Sequence, residues 1–442
     1  MSRAASKASP EDNRLRFEDR AVHDWYRFVL SFPPHLVRTY LDRFEVRPGQ
    51  IVLDPFCGTG TTLVECKKLG IASVGIERNP MAHFASATKL NWSVDPKRLV
   101  SEAEAIAGIA RKQLRSEGIE DDPPLPLFAG ESKSSTNTGL RSLHPDTSAI
   151  LLKDSISPLP LHKVLVLLDT IDRGVADKFR NHEKLALARV IVASASNLQF
   201  GPEVGVGPAK RDAPVVRLWL DAMRAIADDL IQVKGQKRTA VKLHLTDARH
   251  LPEVLPPRSV DAVITSPPYP NEKDYTRTTR LESAILGLIR NKVELRALKQ
   301  ELVRSNTRSV YSTDADDELV TSHPEIQRIA TEIERRRIAM GKTSGFERMY
   351  ARVTKLYFGG MARHLASLRS LLRPGARLAY VVGDQASYLR VMIRTGEILA
   401  DLARSLGYEV ESIDLFRTRL ATASREMLRE EVVVLRWPAE SA

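Results

Sequence analysis

The feature that most constrains the fold is the segment from residue 51 to residue 77, IVLDPFCGTGTTLVECKKLGIASVGIE. A short apolar run is followed by a glycine-rich turn, then by a helical pattern that Gly70 closes, and then by a second apolar run that ends on Glu77. Two strands joined in this way by a helix lie parallel in one sheet. The segment therefore predicts an α/β fold.

The same alternation of strands and helices returns later in the chain, after two long interruptions. Apolar runs typical of strands occur near residues 51, 73, 243, 262, 379, 412 and 433. Helices between them would cover both faces of the sheet. We therefore expect a doubly wound, mostly parallel, Rossmann-like sheet of about seven strands. The interruptions, 96–240 and 277–354, contain helical patterns, and we interpret both as largely helical insertions.

The remaining segments form the predicted core and the stretch that precedes it. Residues 1–19 are polar and charged and lack the apolar centre of a secretory signal, so we expect a disordered lead-in. Residues 20–95 hold the glycine-rich turn, and residues 241–276 hold the sequence TSPPY. Residues 355–442 return to alternating helices and strands, which would complete the core.

Charge and cysteine content narrow the class of protein. The net charge of +11 suits a polyanionic partner such as nucleic acid, although ordinary solvated Lys and Arg faces would give the same total. Two cysteines, Cys57 and Cys66, are too few for a disulfide framework or a cysteine-based zinc site. No apolar run is long enough to cross a membrane. We expect a cytoplasmic protein with reduced thiols and no metal.

The sequence Thr265–Ser266–Pro267–Pro268–Tyr269 ends the apolar run VDAVI abruptly. Prolines donate no backbone hydrogen bond and hold φ near about −65°, so they form a rigid corner at the carboxyl end of a strand. Ser266 adds a hydroxyl group, and Tyr269 adds a flat face on which a base can stack. This corner predicts a grip on a planar ring whose exocyclic amino group is held by hydrogen-bond acceptors.

The glycine-rich turn is the second candidate site. Gly58 and Gly60 would let a ligand approach the backbone closely, and no Gly-Lys-Ser/Thr follows, so the turn is not a P-loop. Glu77, at the end of the next strand, could accept hydrogen bonds from a ribose. Asp247, after the strand VKLHL, could accept from an adenine amino group or could cap a helix. A tight turn without function is the alternative, but the acid after the second strand favours a nucleoside-containing cofactor.

The pair DPFCGTG (54–60) and SPPY (266–269) resembles the S-adenosylmethionine-dependent DNA amino-methyltransferases, which methylate N4 of cytosine or N6 of adenine. The resemblance covers roughly residues 20–95, 240–275 and 355–437. It implies a class I methyltransferase core and S-adenosyl-L-methionine as the cofactor. It implies that the catalytic residues are Ser266, Pro267, Pro268 and Tyr269. It also implies the cofactor-binding residues Phe32, Pro33, Asp54, Pro55, Phe56, Gly58, Thr59, Gly60, Thr61, Glu77 and Asp247.

The identity of the methylated base follows less directly. Within this family, a serine before Pro-Pro-Tyr favours cytosine N4, and Asp or Asn is commoner in the adenine enzymes. The motif order, with the cofactor loop first and a long insert before SPPY, resembles the α-type arrangement, whereas many cytosine-N4 enzymes have the reverse order. N6-adenine methylation therefore stays an alternative. A further alternative is an RNA guanine-N2 methyltransferase, a class that generally carries an RNA-binding domain before the core.

The expected partner is duplex DNA, from which the base must be flipped out. The stretch PNEKDYTRTTR after the corner suits phosphate contacts and a wedge through Lys273, Tyr275, Arg277 and Arg280, or it could start a solvated helix. Target recognition could come from either insertion, and the first carries the basic pair Lys210–Arg211. The run 335–337 is typical of an exposed helix face. We expect a monomer or weak dimer in a bacterial or archaeal cell, with a cognate restriction endonuclease as a candidate partner.

Overall fold

The computed structural model describes residues 13–27, 31–122, 139–174, 177–201, 203–235, 239–420 and 427–439. The predicted lead-in lies outside these ranges up to residue 12. After it, Asp19 is buried and forms an ion pair of 2.7 Å with Arg38, so the folded region begins before residue 20. Within the described residues, no helix has the length and apolar character needed to cross a membrane.

The elements follow one another in the order that the sequence predicts for the core. The strands are β1 (Ile51–Asp54), β2 (Ala72–Ile76), β3 (Leu198–Phe200), β4 (Val204–Val206), β5 (Val241–His244), β6 (Val260–Thr265), β7 (Leu372–Gly383), β8 (Glu409–Leu420) and β9 (Met427–Arg436). The helices are α1 (Pro34–Arg43), α2 (Thr61–Lys68), α3 (Pro80–Lys89), α4 (Pro96–Ser116), α5 (Pro145–Ser148), α6 (Pro158–Arg173), α7 (Asp177–Val190), α8 (Val215–Gln232), α9 (Tyr275–Thr278), α10 (Arg280–Ile285), α11 (Lys292–Gln300), α12 (Pro324–Ala339), α13 (Tyr350–Leu368) and α14 (Thr395–Ser405).

The strands of the described chain form a seven-stranded sheet in the order β5-β2-β1-β6-β7-β9-β8. The pairs from β5 to β7 are parallel, and β9 is antiparallel to both β7 and β8. The seven predicted core strands and the mostly parallel sheet are confirmed. The strand order reverses between β1 and β6, and ligands of doubly wound sheets bind at such a reversal, at the carboxyl ends of the strands.

Alternating side chains of the central strands supply two apolar layers. Val52 and Ala379 pack with α1 and α2 on one face of the sheet. Leu53 and Leu378 pack with α12, α13 and α14 on the other face. Because neighbouring residues of a strand point to opposite faces, each central strand needs apolar side chains on both sides. This requirement explains why the core strands stand out as continuous apolar runs.

The two insertions pack differently. Helices α4, α6, α7 and α8 of the first insertion share an apolar core with α3, α10 and the segment that contains Trp25. Its glycine- and proline-rich stretch forms the two-stranded β3–β4 hairpin, which the sequence did not predict. In the second insertion, α12 packs against α13 of the core. Residues 373–375, Arg-Pro-Gly, lie inside β7, where the pairing with β6 shifts its register.

Candidate active site

A cavity of about 310 Å³ lies at the carboxyl ends of β1, β2, β5 and β6, where the strand order reverses. The glycine-rich turn and the SPPY corner, more than two hundred residues apart in sequence, share this one cavity with the two predicted acids. The predicted residues in its wall are Phe32, Pro55, Phe56, Gly58, Thr59, Thr61, Glu77, Asp247, Ser266, Pro267, Pro268 and Tyr269. Pro33, Asp54 and Gly60 do not line the cavity and lie behind its wall.

The turn after β1 is shaped by glycine at the position where α2 begins. Gly60 caps α2 with a left-handed φ of 84°, and a Cβ atom there would lie 2.4 Å from Ser86 Oγ on α3. The amide of Gly60 donates to the carbonyl of Cys57 across 2.7 Å. A larger residue would therefore meet both backbone strain and a steric clash. The turn consequently packs tightly against α3 and aims the N-terminus of α2 at the cavity.

Asp54 holds the turn from below. Its Oδ1 accepts from the Thr265 hydroxyl at 2.6 Å and from the amide of Phe56 at 3.2 Å. Its Oδ2 is buried and has no hydrogen-bond partner among the described residues. Burial raises the pKa of Asp54 to about 6, against the opposing effect of the Thr265 hydroxyl. Buried polar atoms are normally paired, so this oxygen is a candidate acceptor for a ligand or a water molecule.

Glu77 lies at the end of β2 and faces the cavity. Its carboxylate accepts from the amide of Gly58 at 2.8 Å and from the amide of Asn79 at 2.7 Å. Burial raises the pKa of Glu77 to about 7, although these amides act in the opposite direction. The two amides fix the orientation of the carboxylate and leave further lone pairs on both oxygens toward the cavity.

Asp247 is held by a partner that the sequence did not reveal. The guanidinium group of Arg249 donates to both of its carboxylate oxygens, with a shortest distance of 2.6 Å. The same guanidinium group contacts Asp316 of the second insertion at 2.7 Å. Arg249 therefore orients Asp247 in the cavity wall and ties it to the insertion.

The corner after β6 presents its serine as an acceptor. The Ser266 hydroxyl donates to the carbonyl oxygen of Val381 at 3.2 Å, which directs its proton toward β7. The lone pairs of this oxygen are then available toward the cavity. The amide of Tyr269, after the two prolines, donates to the Tyr275 hydroxyl at 2.9 Å. The corner is therefore fixed at both ends by hydrogen bonds.

The ring of Tyr269 is placed by a glycine on a neighbouring strand. A Cβ atom on Gly383 would lie 3.2 Å from Cε2 of Tyr269 and 3.2 Å from Cγ of Glu430. Gly383 thus gives the aromatic ring room to pack edge-on against the end of β7. Burial raises the pKa of the Tyr269 hydroxyl, so the ring stays neutral.

Several residues of the cavity wall were not predicted. Arg417 of β8 and Glu430 of β9 form a bidentate ion pair, with Nε–Oε2 and Nη2–Oε1 distances of 2.6 and 2.9 Å. Arg78 and Glu301 form an ion pair that joins the end of β2 to the second insertion. Further wall residues are Asn271, Asp274, Ser305, Asn306, Ser309 and Phe416. Only Asn271 and Asp274 carried a sequence signal, because they directly follow the SPPY corner.

The predicted DNA-binding residues separate into two groups. Tyr275 lines the cavity, Lys273 is half-buried just before it, and Arg277 contacts Glu203 of the hairpin at 3.5 Å. Arg280 is turned inward: it pairs with Asp274 at 2.9 Å, and its side chain is 13% exposed. An inward ion pair of this kind stabilises the segment and does not present its charge to a phosphate.

The basic pair of the first insertion is also divided. The ammonium group of Lys210 donates to the carbonyl of Ser194 at 2.7 Å, which anchors the stretch after the hairpin. Arg211 is exposed. The run 335–337 is a helix face, as expected, because its arginines pair with Glu332 and Glu334 on α12. Among these residues, only Arg211 has an exposed charge for which the described part of the chain shows no ion pair.

Thiol and metal chemistry receive no support from the described residues. Cys57 and Cys66 are buried free thiols, and burial raises the pKa of both, so neither is a thiolate near neutral pH. Among the residues that the structure describes, no group of three His, Cys, Asp or Glu side chains has the arrangement of a metal site.

Comparison with known proteins gives one family. The N6_N4_Mtase family model, described as DNA methylase, matches residues 8–87. The Type II methyltransferase M.BsoBI of Geobacillus stearothermophilus is 26% identical over 441 residues, which cover 95% of this chain and 85% of that protein. The Type II methyltransferase M.AvaI of Anabaena variabilis is 25% identical over 446 residues, with 95% and 87% coverage. The Type II methyltransferase M.MjaII of Methanocaldococcus jannaschii is 43% identical over 70 residues, 16% of this chain and 13% of that protein.

A solved structure, TrmN from Thermus thermophilus, covers 91% of this chain and 48% of that chain, with 11% identity and a TM-score of 0.29, which is too low to support an inference. The sequence matches agree with the shared cavity of the DPF turn and the SPPY corner. On these grounds, the chain is similar to the adenine/cytosine amino-methyltransferases among the DNA methylases, and the family model covers its residues 8–87.

Proposed function

We propose that the protein transfers a methyl group from S-adenosyl-L-methionine to the exocyclic N4 amino group of a cytosine flipped out of duplex DNA. The observation that carries this proposal is the orientation of Ser266 in the cavity, with its proton engaged by Val381 and its lone pairs free to accept from an amino group. N6-adenine methylation is the second candidate, because an adenine amino group needs the same acceptors.

The cavity fits the proposed cofactor in two features. Gly58 leaves the backbone open to a ligand, and Glu77 presents an oriented carboxylate for ribose hydroxyls, while Asp54 would support the turn from behind the wall. Phe32 would add an apolar contact near the methionine part, and Asp247 would face the adenine. When bound, the cofactor would supply an electrophilic methyl group on a sulfonium centre. Pro33 and Gly60 would act from behind the wall by shaping the segments that carry the contacts.

The amino group of a base is a poor nucleophile because its lone pair is delocalised into the ring. If Ser266 Oγ and the Pro267 carbonyl accept hydrogen bonds from its N–H groups, the lone pair would be localised on the nitrogen. The nitrogen would then be able to accept the methyl group that the bound cofactor would supply, and it would release one proton to solvent. Positioning supplies much of the catalysis in such a direct displacement. No covalent bond to the protein is needed, which agrees with the buried, protonated Cys57.

Tyr269 would hold the flipped base by stacking. Its ring lines the cavity. The backbone amide of Tyr269 donates a hydrogen bond to the Tyr275 hydroxyl, and Gly383 leaves room for the ring. Base–aromatic stacking is worth about 1–3 kcal/mol, which would offset part of the few kcal/mol that flipping costs. Tyr275, Lys273 and Arg277 would contact the DNA at the same edge, with Arg211 as a more remote phosphate contact. Arg280 and Lys210 would support this surface from within.

The base can be identified directly. Single-molecule methylome sequencing of a host that expresses the chain should show N4-methylcytosine within one recurrent sequence. N6-methyladenine there would establish the second candidate. Methyl transfer to tRNA and not to duplex DNA in a radiolabelled-cofactor assay would overturn both in favour of an RNA guanine-N2 enzyme. Because the relatives are named Type II methyltransferases, we also propose a restriction-modification role with a cognate endonuclease, in the cytoplasm of a bacterial or archaeal cell.

The corner can be tested by substitution. Ser266→Ala and Tyr269→Ala should each reduce methyl transfer by about a hundredfold or more while cofactor affinity, measured by calorimetry, stays at the wild-type value. Ser116→Ala, on the exposed end of α4, is the matched control and should keep full activity. Wild-type activity in both corner variants would remove the role assigned to Ser266 and Tyr269.

A further inference from the structure

Three basic side chains surround one carboxylate at the edge of the cavity. Glu203, in the β3–β4 hairpin, contacts Arg277 at 3.5 Å and Arg308 at 3.9 Å. Burial lowers the pKa of Lys273, and the negative charge of Glu203 partly opposes this shift, so the ammonium group lies within electrostatic range of Glu203. We call Lys273, Arg277 and Arg308 the basic triad. Lys273 and Arg277 follow the SPPY corner closely, and Arg277 and Arg308 both lie within the second insertion.

The basic triad borders the place where the base would lie. Lys273 directly precedes Asp274 in the cavity wall, and Arg277 follows the wall residue Tyr275 by two positions. Arg308 directly precedes Ser309, which is also in the wall. The three cations are thus attached to the rim of the catalytic half of the cavity. A nucleotide whose base enters the cavity must keep its own phosphates near this rim.

The contacts of Glu203 are loose in comparison with other ion pairs of the same site. Arg417 and Glu430 meet in a bidentate pair at 2.6 and 2.9 Å, whereas the two contacts of Glu203 are monodentate and about an ångström longer. The Nε atom of Arg277 is buried without a hydrogen-bond partner among the described residues. Lys273 forms no ion pair within 4 Å in the described part of the chain. The positive charge of the triad is therefore incompletely neutralised by Glu203.

We propose that the basic triad binds a backbone phosphate of the target strand beside the flipped nucleotide, and that Glu203 occupies this phosphate site until DNA displaces it. The inference rests on the proposed function, since it assumes a nucleic-acid substrate. Guanidinium groups suit phosphate oxygens, and charge-assisted bonds to phosphate are stronger than a loose carboxylate contact.

The energetics favour such an exchange. Partly exposed, monodentate ion pairs contribute little to stability, so moving Glu203 away costs little. The hairpin has three residues in each strand, and two-stranded hairpins of this size are marginally stable by themselves. The hairpin can therefore move when a phosphate binds, without disturbing the helical core of the first insertion. Its carboxylate would repel DNA that does not place a phosphate in the triad, which raises the selectivity for a correctly seated strand.

The test is a DNA-binding titration of Glu203→Gln. The probe is a short fluorescent duplex that carries the sequence found methylated by the wild-type protein, in the presence of S-adenosylhomocysteine. We expect Glu203→Gln to bind this duplex about two- to fivefold more tightly than the wild type, because one exposed competing contact is lost. The salt dependence of its affinity should become steeper by about one counterion.

Two further variants make the result specific. Arg277→Gln should weaken binding, and the gain from Glu203→Gln should shrink in the Arg277→Gln background. Glu325→Gln removes the same charge from the exposed face of α12 and should leave affinity unchanged. Unchanged or weaker binding by Glu203→Gln, or an equal gain in the Arg277→Gln background, would overturn the proposal. A wild type that methylates no DNA would instead overturn the proposed function, so the two failures are distinguishable.

Discussion

Thr265 donates a hydrogen bond to Asp54 across 2.6 Å, and this single contact joins the last residue of β6 to the last residue of β1. The SPPY corner begins directly after Thr265, and the cofactor turn begins directly after Asp54. The bond therefore couples the segment proposed to hold the base to the segment proposed to hold the methyl donor. Both residues are fully buried, so no water replaces the bond if it is lost.

Thr265→Val removes the hydroxyl and keeps the shape of the side chain. Hydrogen bonds to charged groups contribute about 1.5–3 kcal/mol, so we expect the free energy of unfolding to fall by about that amount. The pKa of Asp54 should rise above its value of about 6, since the Thr265 hydroxyl lowers it. We expect cofactor affinity to fall about tenfold in calorimetry. Thr39→Val, on the exposed side of α1, should change neither the free energy of unfolding nor the cofactor affinity.

The core and the two motifs were predictable for a physical reason. A strand covered on both faces needs consecutive apolar residues, and a ligand at a strand end needs small or polar residues directly after that strand. Both signals are local in sequence, as in the run from Ile51 to Gly58 and the run from Val260 to Tyr269. Pattern alone therefore located the strands, the glycine-rich turn and the SPPY corner.

The remaining features depend on long-range pairing. Arg280 has the spacing of a phosphate ligand, but its exposure is decided by Asp274, which also pairs with Lys299. No local pattern shows that the segment around Ser305 returns to the cavity or that Arg417 meets Glu430 there. Strands β3 and β4 have three residues each, which is too short for alternation to be recognised. These features follow from tertiary contacts and not from periodicity.

Cofactor affinity should depend on pH through Glu77. Burial raises the pKa of Glu77 to about 7, and the ionised carboxylate would be a stronger acceptor for ribose hydroxyls than the protonated group. Protonation competes with binding, so affinity should be highest above pH 7 and should fall as the pH decreases through about 7. In Glu77→Gln, affinity should be weaker throughout, and the remaining dependence should move toward the pKa of Asp54, about 6. Calorimetric titrations across this range measure both profiles, and a flat wild-type profile would contradict the assignment.

The close packing of the cofactor turn can be tested by a clash and its relief. Gly60→Ala places a Cβ atom 2.4 Å from Ser86 Oγ at a left-handed φ of 84°, so it should destabilise the fold by about 2 kcal/mol or more and weaken cofactor binding. Ser86→Gly in the same chain removes the clashing atom and should restore part of the loss. Gly118→Ala has a similar φ of 75° and nothing within 4 Å, so it reports the backbone strain alone. Thermal unfolding with and without cofactor measures all three, and equal losses in Gly60→Ala and Gly118→Ala would rule out the clash.

Glu282 offers a pH-dependent test of how α10 is attached to the N-terminal segment that contains Tyr26. It is fully buried on α10, and the Tyr26 hydroxyl donates to its Oε1, while Oε2 has no partner among the described residues. Burial raises the pKa of Glu282 to about 7, above its ordinary value of 4.5. The folded state then retains a proton that the unfolded chain releases, so this group stabilises the fold below pH 4.5 and loses that contribution as the pH rises through 7.

Glu282→Gln keeps an acceptor for Tyr26 and cannot ionise. Its stability relative to the wild type should therefore grow between pH 4.5 and 7 and level off above pH 7. The gain should be on the order of 3 kcal/mol, since each unit of pKa shift corresponds to about 1.4 kcal/mol. Chemical denaturation of both proteins at several pH values measures the difference. Glu325→Gln, at an exposed position of α12, should show no such growth, and a pH-independent difference for Glu282→Gln would mean that folding does not raise the pKa of Glu282.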